Sequence, residues 1–154
     1  MQSRDETKKI RVLIVDDHPT VRMGLRFFLD MQPDMVVCGE CKDASDLLAK
    51  VAKLRPDVVT VDINLGGESG LDLVGPMRAL GPALKILVLS FHEERRYMEH
   101  AAAVGAHGYV TKQTATQTLV PTIRELMHAA QDLSGLCHPG TVPPQATKTK
   151  NATA

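Results

Sequence analysis

The sequence lacks an excess of charge of either sign, a long apolar run and an even set of cysteines. Lysine plus arginine and aspartate plus glutamate both total 18 among the 154 residues, so nothing indicates the basic surface that binds nucleic acid or an anionic membrane. No apolar run approaches the ~20 residues that span a bilayer, and the N-terminus carries no apolar signal segment. We therefore expect a cytoplasmic chain that by itself contacts neither nucleic acid nor membrane.

The three cysteines do not make a disulfide framework and fit a reducing compartment. Cys38 and Cys41 form a C-x-x-C motif, but neither a companion pair of zinc ligands nor a thioredoxin-like strand-to-helix context is clear. We expect both residues to be structural, with Cys38 at the end of a strand and Cys41 in the following loop.

The length suits one domain with a tail at each end. We assign residues 1–9 to an N-terminal tail, residues 10–131 to the domain, and residues 132–154 to a disordered tail or the start of a linker. The last segment has almost no apolar side chains and contains Pro139, Pro143 and Pro144.

Four apolar runs end on polar groups that can carry chemistry. The runs are short and rich in β-branched residues, which is typical of strands covered on both faces in a parallel sheet. They are Ile10 to Val15 before Asp16-Asp17, Val58 to Val61 before Asp62, Ile86 to Leu89 before Ser90, and Gly108 to Thr111 before Lys112. In open α/β sheets the ligand lies beyond the carboxyl ends of the strands, so we expect one site built from these four ends.

Helical patterns of similar length separate these strands and a further strand predicted at Met35 to Cys38. The helices are expected from Pro19 to about Leu29, from a cap at Asp43 to Leu54, from Leu71 to Leu80, from Glu93 to Val104 with its acids first, and from Thr118 to Ala130. The five-fold alternation predicts an α/β fold with a parallel, doubly wound sheet and right-handed crossovers.

The acidic groups at the strand ends favour a bound cation. Asp16, Asp17 and Asp62 would repel one another if left alone, and their hard oxygen atoms suit Mg²⁺, which binds through a few carboxylates plus a substrate phosphate. Lys112 would then pair with one phosphoryl oxygen and Ser90 would donate its hydroxyl to another. Asp62 is the better nucleophile, because it stands alone at its strand end and opens a glycine-bearing loop. The set predicts phosphoryl transfer.

Each piece taken singly has an ordinary explanation. An acidic pair after a strand is commonly a solvated turn, Ser90 alone would be a helix cap, and Lys112 alone a surface lysine. Their arrival at the same edge of one sheet is what favours a functional site.

From Lys9 to Ala130 the chain resembles the receiver domain of bacterial two-component response regulators. The motifs that carry the resemblance are Val-Asp16-Asp17-His18-Pro19, Val-Asp62-Ile-Asn64, Leu-Ser90 and Gly105-Ala-His-Gly108-Tyr109-Val-Thr-Lys112. The successive separations of 45, 28 and 22 residues from Asp17 to Asp62, Ser90 and Lys112 are also similar to the family's. The resemblance implies a flavodoxin-like sheet of strand order 2-1-3-4-5 with five helices.

The resemblance also implies a role for each residue of the site. Asp62 would accept a phosphoryl group from the phosphohistidine of a sensor histidine kinase or phosphotransfer protein. Mg²⁺ would be held by three carboxylates and one backbone carbonyl, those of Asp16, Asp17, Asp62 and Asn64. Ser90 would follow the phosphoryl group inward, and Lys112 would pair with it.

Tyr109 matches the position of the family's aromatic switch residue, whose ring changes rotamer with the state of the hydroxyl residue, here Ser90. The switched surface would consist of helix four, strand five and helix five, and phosphorylation could drive homodimerisation. The motifs look most similar to receivers that precede a helix-turn-helix module in transcription regulators, and no such module follows in this sequence. The chain is either a single-domain receiver or the receiver half of a longer regulator.

Several positions depart from the family pattern. Gly66 replaces a common proline and should make its loop more mobile. Phe91 is bulky and would narrow access for phosphodonors, while Gln113 replaces a proline, so no cis peptide is expected there. Pro76 should kink or delay helix three, and Pro121 is tolerable if Thr118 is the N-cap of helix five.

Two rival functions are weighed. A haloacid-dehalogenase-like phosphatase also uses a strand-end aspartate, but its second aspartate is replaced here by Asn64, which cannot protonate a leaving group. A pseudo-receiver, acting only as an interaction module, stays open, although all five key side chains are present. His18 and His92 flank the site and could tune it. The other histidines, including His107, are expected to be solvated surface residues.

Overall fold

The computed structural model of the protein describes residues 8–129, which form a five-stranded parallel sheet. Its strands are β1 (Ile10–Val15), β2 (Met35–Cys41), β3 (Val58–Asp62), β4 (Lys85–Ser90) and β5 (Gly108–Thr111). Their order across the sheet is β2-β1-β3-β4-β5. The predicted fold class and strand order are confirmed.

Five α-helices cover both faces of the sheet. They are α1 (Pro19–Asp30), α2 (Leu47–Leu54), α3 (Val74–Leu80), α4 (Arg95–Val104) and α5 (Ala115–Ala129). One core packs α1 and α5 against one face, and a second core packs α2, α3 and α4 against the other. None of the helices in the described part of the chain is long and apolar enough to cross a membrane.

The second strand is longer than predicted, and this changes the setting of the C-x-x-C motif. Strand β2 continues to Cys41, which is 1% exposed, so Cys41 belongs to the sheet and not to the following loop. Burial raises the pKa of the Cys41 thiol to about 11 and also raises that of Cys38. Both thiols are therefore protonated at neutral pH, in agreement with a structural role.

Two helices begin later than the capping patterns predicted. The Asp43 carboxylate accepts hydrogen bonds from the amide and hydroxyl of Ser45, so it closes a local turn, and α2 begins only at Leu47. Helix α4 begins at Arg95, after Glu94 in the N-cap position, so the two glutamates predicted in its first turn precede it.

The last helix begins earlier than predicted and contains a proline. A 3₁₀ turn over Lys112–Thr114 leads directly into α5 at Ala115, so Thr118 is not the N-cap. Pro121 therefore lies inside the helix, on its exposed side. Thr118 instead donates its hydroxyl to the carbonyl of Thr114, a back-bond that helix interiors tolerate.

Proline has the predicted effect on α3. A 3₁₀ turn over Gly70–Leu73 precedes the helix, which begins at Val74 and carries Pro76 in its first turn. A proline there loses no helical hydrogen bond, because the first amides of a helix have no partner within it.

The glycine-bearing loop after β3 is a short hairpin. Asn64–Leu65 pairs antiparallel with Glu68–Ser69, and the two residues between them, Gly66 and Gly67, have φ values of 57° and 95°. Two consecutive positive φ values are typical of the tight turns that join hairpin strands, and glycine adopts them at little cost.

His107 is not the solvated surface residue that we expected. Its Nδ1 accepts a hydrogen bond of 3.0 Å from the backbone amide of Ile86, and its own amide donates to the Ile86 carbonyl at 2.8 Å. The imidazole is thus part of the connection between β4 and the loop before β5. The predicted boundary at residue 131 and the predicted tail over residues 132–154 lie outside the described residues.

Candidate functional site

Four strands bring polar residues to one edge of the sheet. Asp16 follows β1, Asp62 ends β3, Ser90 ends β4 and Lys112 follows β5. Asp16, Asp62 and Ser90 are at most 5% exposed, and the Lys112 side chain is 4% exposed. Buried polar groups of this kind require partners inside the protein. The structure places these four predicted residues together.

The Lys112 ammonium bridges two of the carboxylates. Its Nζ donates to Asp16 Oδ2 at 2.7 Å and to Asp62 Oδ2 at 2.8 Å. Burial lowers the pKa of Lys112, but its hydrogen bonds with the two carboxylates outweigh this effect and leave the pKa above its ordinary value. Lys112 is therefore a fixed positive charge beside the predicted nucleophile.

His18 contacts both residues of the acidic pair, and the sequence had placed it only beside the site. Its backbone amide donates to Asp16 Oδ1 at 2.9 Å, and its Nδ1 lies 3.1 Å from that oxygen and 2.8 Å from Asp17 Oδ1. The sequence signal was its position, directly after the aspartates and before Pro19, which begins α1. The side chain is 59% exposed, so it forms the outer wall of the acidic pair.

The hairpin after β3 is tied to the same carboxylates through its backbone. The amide of Asn64 donates to Asp62 Oδ1 at 3.2 Å, and the amide of Gly66 donates to Asp17 Oδ2 at 3.2 Å. At the base of the hairpin, a Cβ on Gly70 would overlap the carbonyl oxygen of Asp62. Only glycine therefore allows this close approach to the strand end.

The acidic cluster fits a hard divalent cation. Asp16, Asp17, His18 and Asp62 each offer one ligand atom, and these atoms lie within 4.8 Å of one another. Asp17 Oδ1 is buried and makes no hydrogen bond with the described residues, although His18 Nδ1 lies 2.8 Å away. Three carboxylates and the Lys112 ammonium leave two negative charges, which one divalent cation would balance. Oxygen ligands of this type suit Mg²⁺.

Ser90 and Tyr109 meet at the backbone of His92. Ser90 Oγ accepts a hydrogen bond of 3.1 Å from the His92 amide, and the Tyr109 hydroxyl donates to the His92 carbonyl at 2.7 Å. Tyr109 is 5% exposed, so its ring lies inside the protein. Burial raises the pKa of Tyr109, and a hydrogen bond with Ser90 opposes the rise only in part.

Phe91 covers the lysine side of the site. The Lys112 Nζ lies 4.9 Å from the centroid of the Phe91 ring, which is 58% exposed. A cavity of about 270 Å³ between α1 and the start of α5 reaches both residues. This position of the ring suits the narrowing of access predicted for Phe91.

Comparisons with known proteins agree with this architecture. The family model of the response regulator receiver domain matches residues 12–124. The transcriptional regulatory protein DegU of Brevibacillus brevis is 31% identical over 124 residues, which make up 80% of this chain and 52% of DegU. This chain thus spans about half the length of the curated relatives it matches.

Solved structures show the same similarity. A LuxR-family two-component response regulator from Aurantimonas sp. SI85-9A1 has a TM-score of 0.75 at 31% identity, over 79% of this chain and 87% of that one. RcsB of Salmonella enterica serovar Typhimurium, in a structure bound to promoter rprA, has a TM-score of 0.71 at 27% identity, over 79% of this chain and 61% of RcsB. The chain therefore belongs to the family of response regulator receiver domains of two-component systems.

Proposed function

We propose that Asp62 accepts a phosphoryl group from the phosphohistidine of a sensor histidine kinase or phosphotransfer protein, in a reaction that requires Mg²⁺. The observation that carries this proposal is the bridge from Lys112 Nζ to the buried carboxylates of Asp16 and Asp62. It sets a permanent cation beside an aspartate that terminates a strand at the ligand-binding edge of the sheet.

The chemistry follows from these positions. One oxygen of Asp62 forms a bond to phosphorus while the bond from phosphorus to the donor imidazole nitrogen breaks, and the nitrogen keeps the electron pair. Lys112 neutralises charge on the transferred group, and the Ser90 hydroxyl donates to one of its oxygens. Mg²⁺, held by Asp16, Asp17 and Asp62, would supply further neutralisation when bound. The Asn64 carbonyl is proposed as a further ligand, next to the amide that already contacts Asp62.

The protein would act as a signalling phosphoacceptor that catalyses only its own phosphorylation and dephosphorylation. Tyr109, buried beside Ser90, is proposed as the switch residue, and the surface of α4, β5 and α5 as the region that changes. Because the curated relatives are about twice as long and include transcriptional regulators, we propose residues 10–131 as the receiver that controls a DNA-binding module, with homodimerisation upon phosphorylation as part of its output.

The test uses the full chain with Mg²⁺ and phosphoramidate, whose P–N bond resembles that of phosphohistidine. We expect intact-mass spectrometry to show one added phosphoryl group, which is lost without Mg²⁺ and in the Asp62→Asn variant. The exposed Asp72, in the 3₁₀ turn before α3, provides the matched control, since Asp72→Asn should be modified like the unaltered protein. An unaltered protein that stays unmodified, or equal modification of Asp62→Asn, would contradict the proposal and favour a pseudo-receiver.

A further inference from the structure

His92 occupies the junction between the proposed switch residues and helix α4. Its amide donates to Ser90 Oγ at 3.1 Å, and its carbonyl accepts from the Tyr109 hydroxyl at 2.7 Å. Its ring stacks on Tyr97, with the ring centroids 4.1 Å apart and the planes inclined by 20°. One residue thus contacts both switch side chains through its backbone and the next helix through its side chain.

Tyr97 anchors the first turn of α4. Its amide donates to the carbonyl of Glu94, and its partly buried ring packs against the core that lies beneath α2, α3 and α4. The Arg96 guanidinium lies 5.0 Å from the centroid of the same ring. Any displacement of the His92 ring therefore reaches a residue that is fixed to both the helix and the core.

We propose that the stack of His92 on Tyr97 transmits the phosphorylation state of Asp62 to α4, with His92 and Tyr97 as positioning residues. The inference rests on the proposed function, because it needs a phosphoryl group on Asp62 that attracts Ser90. Rotation of Ser90 towards that group withdraws the acceptor of the His92 amide. The segment between β4 and α4 must then change its conformation. Because His92 in this segment is bonded to Tyr109 and stacked on Tyr97, the change reaches both β5 and α4.

The other contacts of this connecting segment do not provide such a path. Phe91 packs its ring over Lys112, and its carbonyl accepts a bond of 3.3 Å from the Gln113 side chain, so its contacts lead to the residues after β5 and not to α4. The His92 imidazole lies 3.6 Å from the Glu94 carboxylate, which belongs to the same segment. Among the described residues, the aromatic stack between this segment and α4 is that of His92 on Tyr97.

The test compares Tyr97→Leu with Tyr97→Phe in the full chain. Leucine keeps an apolar side chain against the core but removes the aromatic face, whereas phenylalanine keeps the stack. Loss of a stacked aromatic pair should shift the equilibrium between the two conformations of α4 roughly two- to tenfold. Backbone amide NMR shifts are recorded with and without Mg²⁺ and beryllium fluoride, a stable mimic of the phosphoryl group.

We expect the shift changes of Ala101, Ala102 and Ala103 in α4 to fall at least twofold in Tyr97→Leu and to persist in Tyr97→Phe. The changes at Thr111 and Gln113, beside the site, should be equal in all three proteins. An undiminished α4 response in Tyr97→Leu, or an equal loss in both variants, would overturn the inference. If the unaltered protein takes up no phosphoryl group from phosphoramidate, the proposed function fails instead, so the two failures are distinguishable.

Discussion

Acidification should destabilise the protein through His107. Its Nδ1 accepts a hydrogen bond from the Ile86 amide, so the neutral imidazole must carry its proton on Nε2. Protonation of Nδ1 would point its N–H at the N–H of Ile86, so the hydrogen bond would be lost. Burial first, and then the charges of Lys85 and Arg78, lower the pKa of His107 from 6.5 to about 4.

The sign and size of the effect follow from this shift. The folded pKa lies below the unfolded one, so as the pH falls the unfolded chain takes up the proton first, and stability decreases. The contribution is complete above the unfolded pKa of 6.5 and is lost as the pH approaches 4. At 1.36 kcal/mol per pKa unit, the largest loss of stability that this shift can cause is about 3.4 kcal/mol. Solvent screening of a partly exposed ring reduces it to about 1.5 kcal/mol.

Urea unfolding at pH 7.0 and 4.5 measures this contribution, with far-UV circular dichroism as the probe because the chain has no tryptophan. We expect His107→Gln, whose amide oxygen can accept the same bond, to lose about 1 kcal/mol less than the unaltered protein between the two pH values, because the contribution is not yet fully lost at pH 4.5. The exposed His100, changed to glutamine, is the control and should behave like the unaltered protein. NMR titration of His107 near pH 6.5, or equal losses in both variants, would refute the reasoning.

Two further predictions concern buried groups near the site. Thr60 is 1% exposed and its hydroxyl makes no hydrogen bond with the described residues, so Thr60→Val should raise the free energy of unfolding in urea titrations by about 1 kcal/mol. The control Thr122→Val, which loses a bond of 2.6 Å to Thr118, should not raise it, and a lower free energy of unfolding in Thr60→Val would contradict the prediction. Gly70→Ala should lower the free energy of unfolding by about 2 kcal/mol or more and reduce phosphoryl uptake, because the added methyl group overlaps the Asp62 carbonyl. The control Gly75→Ala, at a position with open space around it, should leave stability unchanged or raise it, and equal behaviour of the two variants would contradict the overlap.

The strands and their polar ends could be predicted from the sequence because burial on both faces leaves a pattern of its own. Val58–Asp62 is buried throughout, and a continuous apolar run of that length leaves few alternatives. The gathering of Asp16, Asp62, Ser90 and Lys112 at one edge then followed from the parallel direction of the strands alone.

The helix starts could not be predicted equally well, because short polar side chains have several local partners. Asp43 could cap a helix, but its carboxylate bonds to Ser45 instead. Thr118 could do the same, yet the 3₁₀ turn at Lys112 begins the helical path earlier. In each case the competing turn has the same sequence signature as a cap.

Contacts made by loop residues left the least trace in the sequence. The bond from Ile86 to the His107 ring and the stack of His92 on Tyr97 depend on how loops cross the sheet edges. No spacing rule relates such pairs. His18 was closer to prediction, because it directly follows the aspartates that it contacts.

The span of the Lys112 bridge has a consequence for when the protein becomes able to signal. Lys112 and Asp16 are 96 positions apart, and the strands that carry them are separated in the sheet by β3 and β4. Contacts of such separation form late, since the intervening chain must first be ordered. A partly made or partly unfolded chain therefore holds its aspartates without their lysine. The proposed phosphorylation of Asp62 would therefore require the complete fold, which places Lys112 beside it.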